Sequence, residues 1–104
     1  MVHKLKTVSL FVIAAGLIAG PAQASEDLAK KNGCMACHGT DKKLVGPAFK
    51  EVAAKYKADA GAAATLAKHV REGSKGVWGT AAMPPQAKVS DDDLKAVIAW
   101  ALKQ

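Results

Sequence analysis

Two thiols and an imidazole stand together at Cys34-Met35-Ala36-Cys37-His38. C-x-x-C-H is the attachment signature of a c-type haem. Thiols three positions apart on one turn can each add to a haem vinyl group. The residue that follows then sets its imidazole under the iron as an axial ligand. The porphyrin fixes the distances between vinyl groups and metal, so the chemistry needs all three groups in this order.

Two other chemistries use C-x-x-C. A dithiol redox pair belongs in a βαβ setting, and the chain shows no alternation of strands with crossover helices. A zinc site needs a second ligand pair, and outside the motif there are only His3, His69 and carboxylates, with no partner C-x-x-C. Haem attachment is the reading that uses all three residues.

A low-spin electron-transfer haem takes a second axial ligand, usually Met or His. Met35 lies inside the attachment loop and cannot reach the opposite face of the same haem. His69 falls in a predicted helix, where an exposed polar role is the alternative. Met83 stands in Gly79-Thr80-Ala81-Ala82-Met83-Pro84-Pro85-Gln86. The two prolines fix φ and stiffen the loop, so the thioether can be held at a defined place. The competing role for Met83 is that of a flexible gap-filler in a core. The spacing points to Met83 as the distal ligand, and a thioether there favours ferrous iron.

The elements that must hold these groups are helical. Ser25 is suited to cap a short helix through Leu28, Ala29 and Lys30 that Gly33 stops just before the motif. Phe49, Val52, Ala53 and Tyr56 recur at i, i+3, i+4 and i+7, which predicts a helix over 49–57. A third helix fits 62–72, carrying Leu66, His69 and Val70, and a Gly- and Pro-rich loop runs from Gly73 to Pro85. Ser90-Asp91-Asp92-Asp93 resembles a capping box with acids at the positive end of the helix dipole. Beyond it Leu94, Val97, Ile98 and Ala101 line one face. No stretch of four or more residues alternates like a strand.

Residues 1–24 read as a secretory signal. Basic His3-Lys4-Leu5-Lys6 precedes an apolar run from Val8 to Ala19; Gly20-Pro21 breaks that run, and Ala22-Gln23-Ala24 is a small-x-small cleavage site. The run is short of the roughly 20 apolar residues that span a bilayer. Haem is attached to such proteins outside the cytoplasm, so export and a periplasmic home are expected. Cleavage after Ala24 leaves one domain, residues 25–104. A chain of about 80 residues buries a marginal core unless something else fills it. That part carries only Phe49, Tyr56, Trp78 and Trp100 as aromatics, and a buried porphyrin would supply the missing apolar mass. Lys4 and Lys6 leave with the signal while all 9 acidic residues stay, so the formal charge falls from +6 to +4. Such mild basicity suits an acidic partner surface. There is no basic stripe with interleaved aromatics, so no nucleic acid is expected as a partner.

Cys34 to His38, Val45-Gly46-Pro47-Ala48, Gly76-Val77-Trp78-Gly79 and Met83-Pro84-Pro85, in this order, resemble the small bacterial class I cytochromes c-551/c-552 (cytochrome c8). The resemblance covers essentially all of 25–104. It implies an all-α cytochrome c fold of four to five helices, with first and last helices packed together around one covalent haem c. It implies a monomeric periplasmic electron carrier, not an enzyme. Its partners would be a nitrite reductase, a cytochrome c peroxidase, a terminal oxidase or a bc1-type donor. By the same resemblance the Pro47 carbonyl accepts from the His38 imidazole N–H, although Gly46-Pro47 is also an ordinary turn. Trp78 donates its indole N–H to a haem propionate, or simply packs. His69 lies near that propionate where relatives carry Arg, and unlike Arg a histidine can lose its charge near neutral pH. An exposed haem edge is ringed by Met35, Val45, Ala81, Ala82, Pro84 and Pro85. Lys30, Lys31, Lys42, Lys43 and Lys75 would steer acidic partners, an attraction that salt screens. Gln86 stands where relatives often have Asn, and Ala81-Ala82 where they often have Ile-Pro. If Met83 does not bind, a five-coordinate haem would instead sense gases or act as a weak peroxidase. Membership of a larger respiratory complex is a third reading.

Overall fold

A computed structural model describes residues 20–104 and Ser9; the basic stretch and apolar run of the expected signal lie outside the described residues. The first helix, α1 (Pro21–Lys31), starts four residues before Ser25. Proline is favoured at the first helical position, where its missing N–H costs nothing, and the Ala24 N–H reaches the Gly20 carbonyl at 3.1 Å. With residues 20–24 present, Ser25 is therefore interior rather than a cap. The helix ends at Asn32 and Gly33, where Gly33 N donates to Lys30 O, and the chain enters a 3-10 turn at Cys34–Ala36.

Helices α2 (Phe49–Tyr56) and α3 (Ala62–Glu72) follow the predicted spans. In α2 it is Phe49, Val52 and Tyr56 that are buried, as a 3.6-residue period requires. The Glu51 carboxylate accepts from the Ala48 N–H at 3.3 Å, satisfying one orphan donor at the start of α2. Helix α4 (Asp91–Ala101) has the cap the sequence announces: the Ser90 hydroxyl accepts from the Asp93 N–H at 3.1 Å.

The segment read as loop contains a small antiparallel hairpin, β1 (Ser74–Gly76) and β2 (Gly79–Met83). Ser74 faces Met83 and Lys75 faces Ala82, the register then slips, and Gly76 faces Gly79. Val77 and Trp78 form the turn. Neither strand carries the alternating β-branched residues by which a strand is recognised, so the ladder is held by backbone pairing alone.

The core is divided. Ala29 of α1, Phe49 of α2, and Val97, Trp100 and Ala101 of α4 form one cluster, which realises the expected packing of first helix on last. The Asn32 amide ties the same pair of helices by donating to the Asp93 carboxylate at 3.2 Å. Val52, Tyr56 and Ala62 form a second cluster, and Val89, Leu94 and Ile98 a third. Among the described residues no large side chain is completely buried. The three clusters surround a space rather than meeting in the middle.

Candidate haem site

One cavity takes its walls from the turn after α1 and from α2, α3, the hairpin and α4. Cys34, Cys37 and His38 line it from the turn after α1, Pro47 from the following loop, His69 from α3, Trp78 from the hairpin turn, and Met83 from the end of β2. The remaining wall is largely aliphatic, including Val52, Leu66, Val70, Leu94, Val97 and Ile98. All seven residues singled out in the sequence thus share one chamber.

The attachment side is built around His38. Its Nδ1 lies 2.7 Å from the Pro47 carbonyl oxygen. A carbonyl can only accept, so Nδ1 carries the hydrogen and the lone pair stands on Nε2. Backbone bonds hold the loop that brings Pro47 there: Gly46 N to Cys37 O at 2.7 Å and Phe49 N to Gly39 O at 2.9 Å. A Cβ on Gly46 would come within 2.8 Å of His38 Cε1, so this position tolerates only a hydrogen. Phe49 stacks on the imidazole with centroids 5.0 Å apart, and Trp100 meets Phe49 edge-on at 5.2 Å. The ring is thereby connected to the α1–α4 cluster through two aromatic contacts. The sequence marked Phe49 as a helix-face residue and Gly46 as a turn; their direct contact with the ligand candidate needs the fold to be seen.

Cys34 and Cys37 are free, half-buried thiols. Burial pushes the Cys34 thiol above its ordinary range, offset in part by a backbone hydrogen bond, so it stays neutral at physiological pH. The chamber fits a haem by its own chemistry. Two unpaired thiols and an imidazole with a free Nε2 stand on the wall of an apolar space that the side chains leave unfilled.

The part of the wall that carries Met83 is built differently. Met83 is half-buried at the end of a mostly exposed strand. Gly73, at φ 80° and ψ 167°, turns the chain out of α3, and a Cβ there would sit 2.7 Å from the Met83 carbonyl oxygen. That backbone region is open essentially to glycine alone. Beyond Met83, the Gln86 N–H donates to Val70 O at 2.8 Å, and the Arg71 guanidinium donates to Gln86 O at 3.0 Å. The Gln86 side chain turns back to the Pro84 carbonyl at 3.1 Å. Arg71 carries no motif and was not among the residues marked in the sequence; its role depends on which carbonyl the fold presents to it.

Trp78 lines the chamber beneath a cation, with Lys55 Nζ 5.2 Å from its ring centroid. Val45, Ala81, Ala82 and Pro84 border the chamber as expected of an exposed edge, and Leu44 and Val45 are the exposed large apolar residues of the described chain. Met35 does not join them: it packs against the α1–α4 cluster. Because the attachment turn leaves α1 beside α4, the side chain between the two cysteines finds apolar partners there.

The model of the cytochrome c family matches residues 22–103. The chain belongs to the cytochrome c family. It is 50% identical over 99 residues to cytochrome c-552 of Nitrosomonas europaea, covering 95% of this chain and 96% of that one. It is 47% identical over 98 residues to cytochrome c-551 of Pseudomonas aeruginosa, covering 91% and 93%. The crystal structure of the Nitrosomonas europaea cytochrome superposes with a TM-score of 0.72 at 52% identity, over 75% of this chain and 96% of that one. As a small class I cytochrome c, the chain carries covalent haem c and serves electron transport. Among the described residues no helix is long and apolar enough to cross a membrane.

Proposed function

We propose that the mature protein, residues 25–104, is a periplasmic monohaem carrier that passes one electron at a time between respiratory partners. The observation that carries this reading is the single apolar chamber that gathers two thiols, an oriented imidazole and a thioether from separate elements. When bound, the haem supplies a one-electron ferric/ferrous couple.

The chain's own residues do the rest. Cys34 and Cys37 hold the group covalently, and His38 ligates through Nε2 while Pro47 fixes its ring and raises its basicity. Met83 would supply the second ligand to the iron, a thioether that raises the potential. With both positions filled, no site is left for substrate, which is why the protein carries electrons and is not an enzyme. Trp78 and His69, which line the chamber, would hold the propionates. The apolar wall excludes water, which limits reorganisation when the charge changes.

Electrons leave by the exposed edge, where Val45 is 64% exposed beside Lys42 and Lys43. A nitrite reductase, a cytochrome c peroxidase, a terminal oxidase or a bc1-type donor is the expected class of partner. Export rests on the basic, apolar and small-x-small pattern of residues 1–24.

An absorption spectrum of the reduced protein with and without carbon monoxide tests the reading. Wild type should be unchanged by the gas, and Met83→Ala should bind it while losing the weak sulfur-to-iron band of the oxidised form. Carbon monoxide binding by wild type would instead identify a five-coordinate sensor or peroxidase.

A further inference from the structure

Arg71, in the last turn of α3, has two acceptors in reach, one in the loop after β2 and one on α4. Nη1 donates to the Gln86 carbonyl at 3.0 Å, and Nη2 to the Asp91 carboxylate at 2.7 Å. Its side chain is only 27% exposed, whereas that of Asp91 is 98% exposed. A guanidinium presents its donors in a planar fork, so it can serve both acceptors from one rotamer. Gln86 is thus held from both of its peptide groups, by Arg71 on its carbonyl and by Val70 O on its N–H.

Gln86 is three residues beyond Met83, and the two residues between are prolines. Fixed φ at Pro84 and Pro85 makes Met83–Gln86 a stiff strut. The strut has two moorings. One is the Ser74–Met83 pair at the end of a three-residue strand, in a ladder that slips register one pair further on. The other is the clamp on Gln86. A charge-assisted bond to a carbonyl from a mostly buried guanidinium is the firmer of the two. Asp91 relates the same guanidinium to α4, whose start is fixed by the Ser90 cap.

The geometry points to Arg71 as a positioning residue for Met83: it moors the backbone beyond the thioether to α3 and α4 and so sets how much of the time the thioether is in place. This rests on Met83 being the distal ligand. It makes a demand that a general structural role does not. Loosening the clamp must raise the population in which the distal position is open, well below the conditions that unfold the helices.

The ferric mature holoprotein, titrated with imidazole, reads that population, with far-UV circular dichroism melts as the measure of global stability. Arg71→Met should bind imidazole roughly tenfold tighter, since a lost charge-assisted hydrogen bond shifts the loop equilibrium by about that factor. Arg71→Lys keeps the charge but is a single point donor, and should bind about threefold tighter than wild type. A lower melting midpoint in Arg71→Met with imidazole affinity unchanged would overturn the clamp, because it is the result of a purely structural arginine. Should Arg71→Met yield no folded protein, Arg71→Lys decides alone: threefold tighter binding supports the clamp and unchanged binding overturns it. The wild-type spectrum separates the two layers. A missing sulfur-to-iron band in wild type overturns Met83 ligation and the clamp together, whereas a present band with unchanged variant affinities overturns the clamp alone.

Discussion

The two walls of the haem chamber are built on different plans. On the attachment wall, every constraint falls on or next to His38: a carbonyl on Nδ1, a stacked phenyl ring, a glycine in contact with Cε1, and loop hydrogen bonds of 2.7 and 2.9 Å. On the Met83 wall, the constraints fall on the backbone to either side of the thioether. A short exposed ladder holds the chain before it and the Arg71–Gln86 clamp holds it after. The first plan fixes a ligand by surrounding it; the second fixes a ligand by fixing the ends of its segment. In the second, a modest local change releases the ligand while the rest of the fold persists. The Met83 wall should therefore be the first to open.

The largest expected effect removes what both walls share. In Cys34→Ala/Cys37→Ala the haem is no longer covalently held, and acid–acetone should strip all colour from the purified protein. Without the group, three small clusters remain around an empty centre, and a chain of about 80 residues has little other core to rely on. The far-UV melt should lose its cooperative transition. A double variant that melts like wild type would show that the clusters are sufficient and that the chamber is not part of the core.

The next pair sets the walls against each other at matched chemistry. Gly73→Ala puts a Cβ 2.7 Å from Met83 O at a φ of 80°, and should cost about 3 kcal/mol from collision and backbone strain. Gly46→Ala puts a Cβ 2.8 Å from His38 Cε1, and should cost about 2 kcal/mol by overpacking alone. Denaturant melts measure both. The decisive observation is the sulfur-to-iron band under native conditions: Gly73→Ala should weaken it and Gly46→Ala should keep it. Equal loss in the two variants would mean that the walls yield together, and the contrast drawn between them would fail.

What the sequence made legible follows the same division. Cys34, Cys37, His38 and Met83 were readable because a fixed spacing or a proline pair carries their chemistry locally. Helices α2, α3 and α4 were readable because 3.6-residue periodicity and a serine cap are also local. The supports of Met83 were not. Ser74–Gly76 and Gly79–Met83 have no alternation and, apart from Thr80, no β-branched residue, so their pairing arises from the backbone once α3 has ended. Arg71 looks like one more basic residue in the last turn of a helix, and its importance comes from a carbonyl fifteen residues away. The family resemblance puts Met35 at the haem edge, inside the attachment motif. It packs instead against a cluster drawn from α1, α2 and α4, most of it remote in sequence. Local signals pick out the candidate ligands; long-range contacts determine how firmly each is held.

The smallest effect gives the sharpest version of the comparison, because it uses two ion pairs of equal length. Lys50–Asp41, on the attachment side, and Arg71–Asp91, on the Met83 side, both measure 2.7 Å. Both side chains of the first are well exposed, at 59% and 64%, and the His38 collar makes no use of them. Asp41→Asn should therefore change stability by less than about 0.5 kcal/mol and leave imidazole binding unaltered. Asp91 is even more exposed than Asp41, so burial alone would rank it as the less important acid. Its partner differs: the guanidinium it meets also holds Gln86, and losing one acceptor lets that fork swing. Asp91 also sits in the first turn of α4, where any acid gains from the helix dipole. Asp92→Asn removes a charge from the same turn, and neither carboxylate oxygen of Asp92 meets a cation within 4.0 Å among the described residues. It supplies the dipole contribution by itself. Asp91→Asn should match Asp92→Asn in its effect on the α4 melt yet exceed it in imidazole affinity, and the excess should shrink as salt is added. Equal imidazole affinities in the two variants would reduce Asp91 to a helix-dipole charge and leave the Arg71–Gln86 bond to work without it beside the β1–β2 ladder.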